Sequence, residues 1–252
     1  MEKKSNNLIY IVSIDHHTSN NKCSDYSQYC LKTWKYWCNK NKVDLIVCTK
    51  HDKRFGSPIW NKEKIYEIGK NYTKIGIVDS DTMVRWDTPN IFEQFEGEWC
   101  GVVDTGDFGW ILNSIKQYKK FFPEINLNID TYFNAGVLFF NSKYLNIFEE
   151  LLQLYLNNQK ELDEWDKGGG REQTLLNNIA IKNNIKFKEL KPEWNLFSIH
   201  KKDMFKPNWQ LKLDNIPFFI KHAYVWHFTG FPVEQRKHLM SQTWDLIKDN
   251  YE

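Results

Sequence analysis

The strongest constraint on this chain is a short apolar run that stops at two aspartates one residue apart, Lys74-Ile75-Gly76-Ile77-Val78-Asp79-Ser80-Asp81-Thr82. A few apolar residues bounded by polar ones read as a buried strand, with the carboxylates where that strand leaves its sheet. Ligands of open α/β sheets collect at such strand ends. Two carboxylates this close repel each other unless positive charge sits between them, and hard divalent cations take oxygen ligands of this kind. By itself the pair reads either as a metal site or as the polar lining of a solvated turn, where Asp is favoured for its local hydrogen bonds.

The flanking sequence supplies the context. Leu8 to Ser13 reads as a first strand, followed by the polar loop Asp15-His16-His17-Thr18-Ser19-Asn20, a possible ligand contact. Its adjacent histidines point opposite ways on an extended chain and make a poor metal pair. Tyr26, Cys30, Trp34 and Trp37 recur at helical spacing and define one apolar stripe. Val43 to Cys48 is a second strand; Ser57-Pro58 then opens a helix whose buried side is Ile65, Ile68 and Tyr72, leading into the Asp79 strand. Strand, helix, strand, helix, strand predicts a parallel sheet with crossover helices.

Beyond the aspartates, Thr88-Pro89 begins a short helical turn with Ile91, Phe92 and Phe95, and Cys100 to Asp104 is a strand ending in another carboxylate. Ile111, Ile115, Tyr118 and Phe122 mark a helix stopped by Pro123. Tyr132 to Phe140 is an apolar strand opened by Asn134, Ala135 and Gly136, small enough to let a ligand or backbone approach. Ser142 caps a helix with Tyr144, Phe148, Leu151 and Tyr155 inward. Gly168-Gly169-Gly170 precedes Arg171-Glu172-Gln173, leaving amides open to an anion or bringing Glu172 close to a substrate. Gly-Lys-Ser/Thr is absent there, which excludes a P-loop. The segment from Lys182 to Asn215, with Trp194, Pro207 and Trp209, is irregular and reads as a lid or acceptor surface. Ala223 to Gly230 is a last strand stopping at His227, before a helix with Val233, Met240, Trp244 and Ile247.

Composition narrows the class. At 252 residues, without repeats or Pro/Ser linkers, the chain is expected to form one α/β domain. Its 34 basic and 32 acidic residues are mixed throughout, so no field suited to gathering nucleic acid is implied. Cys23, Cys30, Cys38, Cys48 and Cys100 form no Cys-x-x-Cys pair, which argues for free thiols in a reducing compartment. No run approaches the roughly 20 apolar residues of a membrane helix, and no signal segment stands out, so a soluble cytoplasmic protein is expected.

Four motifs then combine. Asp79-Ser80-Asp81, Phe133-Asn134-Ala135-Gly136-Val137, Glu172-Gln173-Thr174-Leu175-Leu176-Asn177 and His227-Phe228-Thr229-Gly230 occur in the order and approximate spacing of the glycogenin-like glycosyltransferases, family 8 of the GT-A fold, which residues 8–235 resemble. The resemblance implies a Rossmann-like, mostly parallel sheet in a single domain: a nucleotide-binding part over 8–104, an acceptor-side part over 105–235 and a C-terminal helix over 233–250. It implies transfer of a hexose from a UDP-sugar to a hydroxyl of a glycan, protein or lipid, with retention at C1. By matching position, Asp79, Asp81 and His227 would bind Mn2+ or Mg2+, an assignment whose chemistry stands independently: a dication stabilises charge developing on a diphosphate, and imidazole beside carboxylates suits manganese better than calcium. Asn134, Asp104 and Glu172 map onto catalytic positions, and Lys64, Ser80, Gly230 and Gln173 onto donor-binding ones.

Two departures stand out. Glu172 replaces the usual Asp, moving the carboxylate out by a methylene. Val233 stands where the family places a phosphate-binding lysine, and Arg236 or Lys237 is the candidate to reach the diphosphate instead. Two other readings remain open on sequence alone. A GT-A-like protein that binds nucleotide-sugar or glycan without turnover would suit the missing lysine. A haloacid-dehalogenase-like phosphatase also carries Asp-x-Asp after a strand, but near its N-terminus and with Thr or Val where this chain has Met83.

Overall fold

A computed structural model of the chain describes residues 5–15, 22–165, 171–197, 212–213 and 216–252. Among these, β1 (Asn7–Val12), β2 (Asp44–Cys48), β3 (Lys74–Asp79), β5 (Trp99–Val103), β6 (Phe133–Asn141) and β7 (Phe187–Glu189) form a six-stranded sheet in the order β2-β1-β3-β6-β5-β7. β1 pairs in parallel with both β2 and β3, and β5 with β7, while β6 runs antiparallel to β3 and β5. The last residues of β1, β3 and β5 and the first of β6 therefore share one edge. The predicted alternation of strands and helices is present.

Successive side chains on a strand face opposite ways, and the core divides accordingly. Ile9, Ile11, Val78 and Phe139 pack beneath α1 (Ser24–Asn41) and α8 (Val233–Ile247), against Trp34, Trp37 and Met240. Leu8, Tyr10, Ile75, Ile77 and Phe140 pack on the other side, against Phe148 and Leu151 of α4 (Leu145–Asn157) and Leu175 and Ile179 of α6 (Arg171–Lys182). The expected α1 stripe is wholly buried: Tyr26, Cys30, Trp34 and Trp37 are at most 8% exposed. Burial of each such large side chain contributes roughly 1.5–3 kcal/mol. At the sheet centre Gly76 faces Phe139 in the β3–β6 register, and a Cβ at 76 would lie 2.8 Å from the Phe139 ring and 2.6 Å from Ile9.

The remaining elements refine the sequence reading. The stretch after Ser57 is a 3-10 helix over Pro58–Lys64 that turns α-helical only in α2 (Ile65–Ile68), and the Ser57 side chain makes no cap. Asn90, not Thr88, caps the 3-10 turn Ile91–Glu93, and Asn141, not Ser142, caps the turn leading into α4. Helix α3 (Phe108–Tyr118) stops ahead of Pro123, as its sequence predicts. Four short strands were not apparent in the sequence: β7, the antiparallel pair β8 (Lys212–Leu213) and β9 (Ile216–Pro217), and β4 (Thr82–Val84), which pairs antiparallel with β10 (Val225–His227). His16, His17, the three consecutive glycines, Pro207 and Trp209 lie outside the described residues. All five cysteines are free thiols, and no helix among the described residues is long and apolar enough to cross a membrane.

Candidate active site

The turn between β3 and β4 carries Asp79, Ser80 and Asp81, and α1 fastens it. Thr82 Oγ1 donates to the Asp79 carbonyl at 2.7 Å and accepts from Trp34 Nε1 at 2.9 Å, so the buried aromatic stripe fixes the position of the aspartates. The β4–β10 pairing places His227 opposite Thr82, and the Phe228 amide donates to the Asp81 carbonyl at 2.9 Å. His227 Nε2 consequently lies 3.2 Å from Asp81 Oδ1 and 3.8 Å from Asp79 Oδ2. One ligand atom from each of the three residues lies within 4.8 Å of the others.

Gly136 leaves room for this cluster. A Cβ there would stand 2.2 Å from His227 Cε1 and 2.7 Å from Asp79 Oδ2. Real Cβ atoms do not approach so closely, so the small residue that opens β6 is required by the site itself.

A buried polar chain fixes the tautomer of His227. Asn134 Oδ1 accepts from the Gly136 amide at 2.9 Å, and Asn134 Nδ2 donates to Asp104 Oδ2 at 3.1 Å. An amide N–H only donates and a carboxylate only accepts, so the orientation of Asn134 is set. Asn195 Nδ2 must then donate to Asn134 Oδ1 at 3.0 Å, which leaves Asn195 Oδ1 to accept from His227 Nδ1 at 2.9 Å. In the neutral ring Nε2 is left with its lone pair, 1% exposed at the residue level and without a hydrogen bond. A lone pair and a carboxylate oxygen 3.2 Å apart repel unless a proton or a cation stands between them. Two carboxylates and an imidazole fit a divalent transition-metal ion such as Mn2+.

Two of the chain's own cations flank the pair. Lys62 Nζ lies 2.6 Å from Asp79 Oδ1 and 2.9 Å from Glu172 Oε1, bridging the β3 edge to the start of α6. Burial opposes its charge, but Asp79 and Glu172 prevail and raise its pKa. In a 3-10 helix residues i and i+3 eclipse, so Ile59 and Lys62 both line the same cleft. Lys64, the position matched by sequence, points away and sits 3.5 Å from Asp52 Oδ2; the lysine brought to the carboxylates is Lys62. On the opposite side Arg236 Nε lies 3.2 Å from Asp81 Oδ2. Burial works against both aspartates: at Asp79 it prevails and raises the pKa, whereas at Asp81 the neighbouring positive charge, Arg236 first, overcomes it and holds the carboxyl well below the usual range.

The other sequence-predicted residues fall around this centre. Asp104 Oδ2 accepts from both Asn134 Nδ2 and Gln173 Nε2, and its Oδ1 from the Gly106 amide at 3.0 Å. Gln173 Oε1 in turn accepts from the Ala135 amide at 3.0 Å, which makes Gln173 a brace between α6 and β6. Ser80 lines the cleft with its Oγ 3.3 Å from Cys23 Sγ. Gly230 adopts φ 75° in the turn from β10 to α8, a left-handed conformation suited to glycine. Val12, Ile14, Tyr26, Ser57, Pro58 and Thr229 complete a cleft of about 420 Å³ reaching from Asp79 and Asp81 to the end of β1. Lys62 and Asn195 are polar neighbours that the sequence motifs did not place, and only Lys62 carried a signal, as a charge near a motif position; of the two basic residues offered in place of the family lysine, Arg236 reaches the aspartates, while Lys237 faces Asp25 at 3.9 Å.

No protein-family model matches the chain, and no curated protein matches it in sequence. Among solved structures it is similar to a glycosyltransferase involved in the glycosylation of the major capsid of PBCV-1, at 13% identity and TM-score 0.59 over 93% of this chain and 98% of that one. It is similar to the WbbM bifunctional glycosyltransferase, at 17% identity and TM-score 0.60, covering 99% of this chain but 52% of that one. The glycosyltransferase GlyE of Streptococcus pneumoniae TIGR4 matches at 14% identity and TM-score 0.53, over 97% of this chain and 62% of GlyE. Likeness at such identities is likeness of fold, and the fold this chain has is the mixed α/β architecture of the GT-A glycosyltransferases.

Proposed function

We propose that this protein is a cation-assisted glycosyltransferase of the glycogenin-like family 8 kind, moving a hexose from a UDP-sugar to an acceptor hydroxyl with retention at C1. The observation that carries this reading is the convergence of Asp79, Asp81 and His227, from a strand end and a partner strand distant in sequence, onto one ligand-sized space beside an open cleft. Asp79, Asp81 and Nε2 of His227 would hold Mn2+ or Mg2+. When bound, the ion supplies positive charge against the diphosphate as the bond from sugar C1 to phosphate oxygen breaks.

The remaining roles follow from which atoms are already spent. Asp104 accepts three hydrogen bonds and Asn134 donates and accepts within the same network, so both position other groups and neither is available as a base. Glu172 is oriented by Lys62 at 2.9 Å, and in this reading it is the carboxylate that would face positive charge growing on the sugar ring. The new bond joins C1 to the acceptor oxygen, whose proton leaves with the departing phosphate oxygen. The cleft beyond Ser80, walled by Ile14, Tyr26 and Pro58, takes the nucleoside.

The test is a panel of nucleotide-sugars incubated with Mn2+, scored for release of the nucleoside diphosphate. UDP-sugar turnover that disappears on chelation and in Asp81→Ala is the expected outcome. Undiminished turnover in Asp81→Ala refutes cation-assisted transfer through this site.

A further inference from the structure

Arg236 is held with more care than an ordinary surface arginine. Its Nε donates to the Phe228 carbonyl at 3.1 Å while facing Asp81, Nη2 donates to the Phe231 carbonyl at 3.1 Å, and Nη1 donates to the Tyr26 hydroxyl at 3.3 Å. The guanidinium carbon also lies 5.0 Å from the centre of the Tyr26 ring. Its side chain is 16% exposed, and the part that remains open lines the cleft. A guanidinium carries five N–H donors; three are used, so two have no acceptor among the described residues. The residue is thus pre-positioned, charged, and has donors left over in a cleft whose other charged lining residues are Lys62, Asp79 and Asp81.

We infer that Arg236 is the residue that grips the diphosphate of the donor, in the role left open by Val233, and that it does so at the expense of cation affinity in the empty site. This inference rests on the proposed function and deepens it. Val233 and Arg236 lie one turn apart on α8 and line the same cleft, so a longer side chain at 236 can serve the space that the shorter one at 233 leaves unserved. Planar bidentate donors suit phosphate oxygens better than a point charge does. Asp79, Asp81 and Glu172 exceed Lys62 and Arg236 by one negative charge. A dication turns that into net positive charge, which favours an anionic ligand; without Arg236 the loaded site is only neutral. Before a nucleotide arrives, however, the guanidinium repels the cation across Asp81.

The inference therefore predicts effects of opposite sign. In Arg236→Ala, the affinity for Mn2+ alone, read by calorimetry, should tighten about 3- to 10-fold. In the same variant, affinity for UDP at saturating Mn2+ should weaken on the order of 10- to 100-fold. Uridine binding, followed by saturation-transfer NMR, should not change. Arg236→Gln, which can still donate to the backbone carbonyls, should behave likewise, and Arg236→Lys should recover part of the UDP affinity; circular-dichroism melting identifies any variant that fails to fold. If Mn2+ and UDP affinities fall together, or UDP and uridine weaken equally, Arg236 is a structural residue and the inference is wrong while the proposed function stands. If the unaltered protein binds no UDP with Mn2+ present, the proposed function fails and this inference with it.

Discussion

Asn195 Oδ1 and His227 Nδ1 stand 2.9 Å apart, and this contact decides which imidazole nitrogen faces the aspartates. Second contacts of this kind typically tune cation affinity 10- to 100-fold. Asn195→Ala should therefore weaken Mn2+ binding by about that factor, and should cost about 1–3 kcal/mol of stability by leaving the buried Nδ1–H without an acceptor. Calorimetry and urea unfolding measure the two effects; unchanged Mn2+ affinity would show that the ring orients itself without Asn195.

Gly136 gives a steric test of the same centre. In Gly136→Ala the added methyl must displace His227, Asp79 or β6, because its nearest neighbours lie at 2.2 and 2.7 Å. Overpacking of this kind costs about 1–3 kcal/mol. The expected result is a folded protein with a lowered Tm and no stabilisation by Mn2+. A variant that Mn2+ still protects to the normal extent places the ion elsewhere.

Glu63 makes the stability of the fold depend on pH. It is 1% exposed, its Oε2 has no hydrogen bond, and burial, with the Glu172 charge adding and Lys62 opposing, pushes its pKa well above the ordinary value. Between the unfolded pKa, about 4.3, and the raised folded one, the native state holds a proton that the unfolded chain has released. Stability contributed by this group is therefore complete below the lower value and is lost as pH rises through the window, at about 1.4 kcal/mol per pH unit. Glu63→Gln should flatten that decline and should be at least as stable as the parent at pH 7. Denaturant titrations at several pH values decide it: an identical slope in both proteins removes Glu63 as the cause.

Lys62 and Lys64 separate the site from its surroundings. Lys62→Met leaves Asp79 and Glu172 without their shared ammonium, and breaking a buried pair from one side typically costs about 3–5 kcal/mol. Turnover should collapse with it. Lys64→Met removes only a partly exposed pair with Asp52, worth about 0–1 kcal/mol, and should leave donor affinity unchanged. Equal loss of donor binding in both variants would contradict the distinction.

Much of the fold was legible because its signals are local. The apolar runs before Ser13, Cys48, Asp79 and Asp104 each became a strand or its exit, and the α1 stripe is buried residue by residue. The aspartate pair, Asn134 and His227 could be singled out because each sits next to an abrupt change from apolar to polar, and Glu172 because it follows three consecutive glycines. The contacts among them were not legible, because they depend on pairings across long separations. β4 is three residues long and exists as a strand only because β10 lies against it. Asn195 sits in irregular chain and takes its role from Asn134 and His227. Lys62 differs from Lys64 only through the tighter 3-10 winding of its segment, a distinction that apolar spacing does not encode.

The hole at Gly76 that receives the Phe139 ring reaches further than the core it fills. Side chains along a strand alternate faces, so sliding β6 by a single residue against β3 would turn every one of them over. The ring can drop into only one place along β3, and that acts as an indexing notch for the whole strand. Three residues before Phe139, the same alignment sets Gly136 opposite the end of β3 and leaves His227 its berth. A bulkier residue at 76 would thus disturb the reactive edge by misaligning the chain rather than by touching any group that binds there.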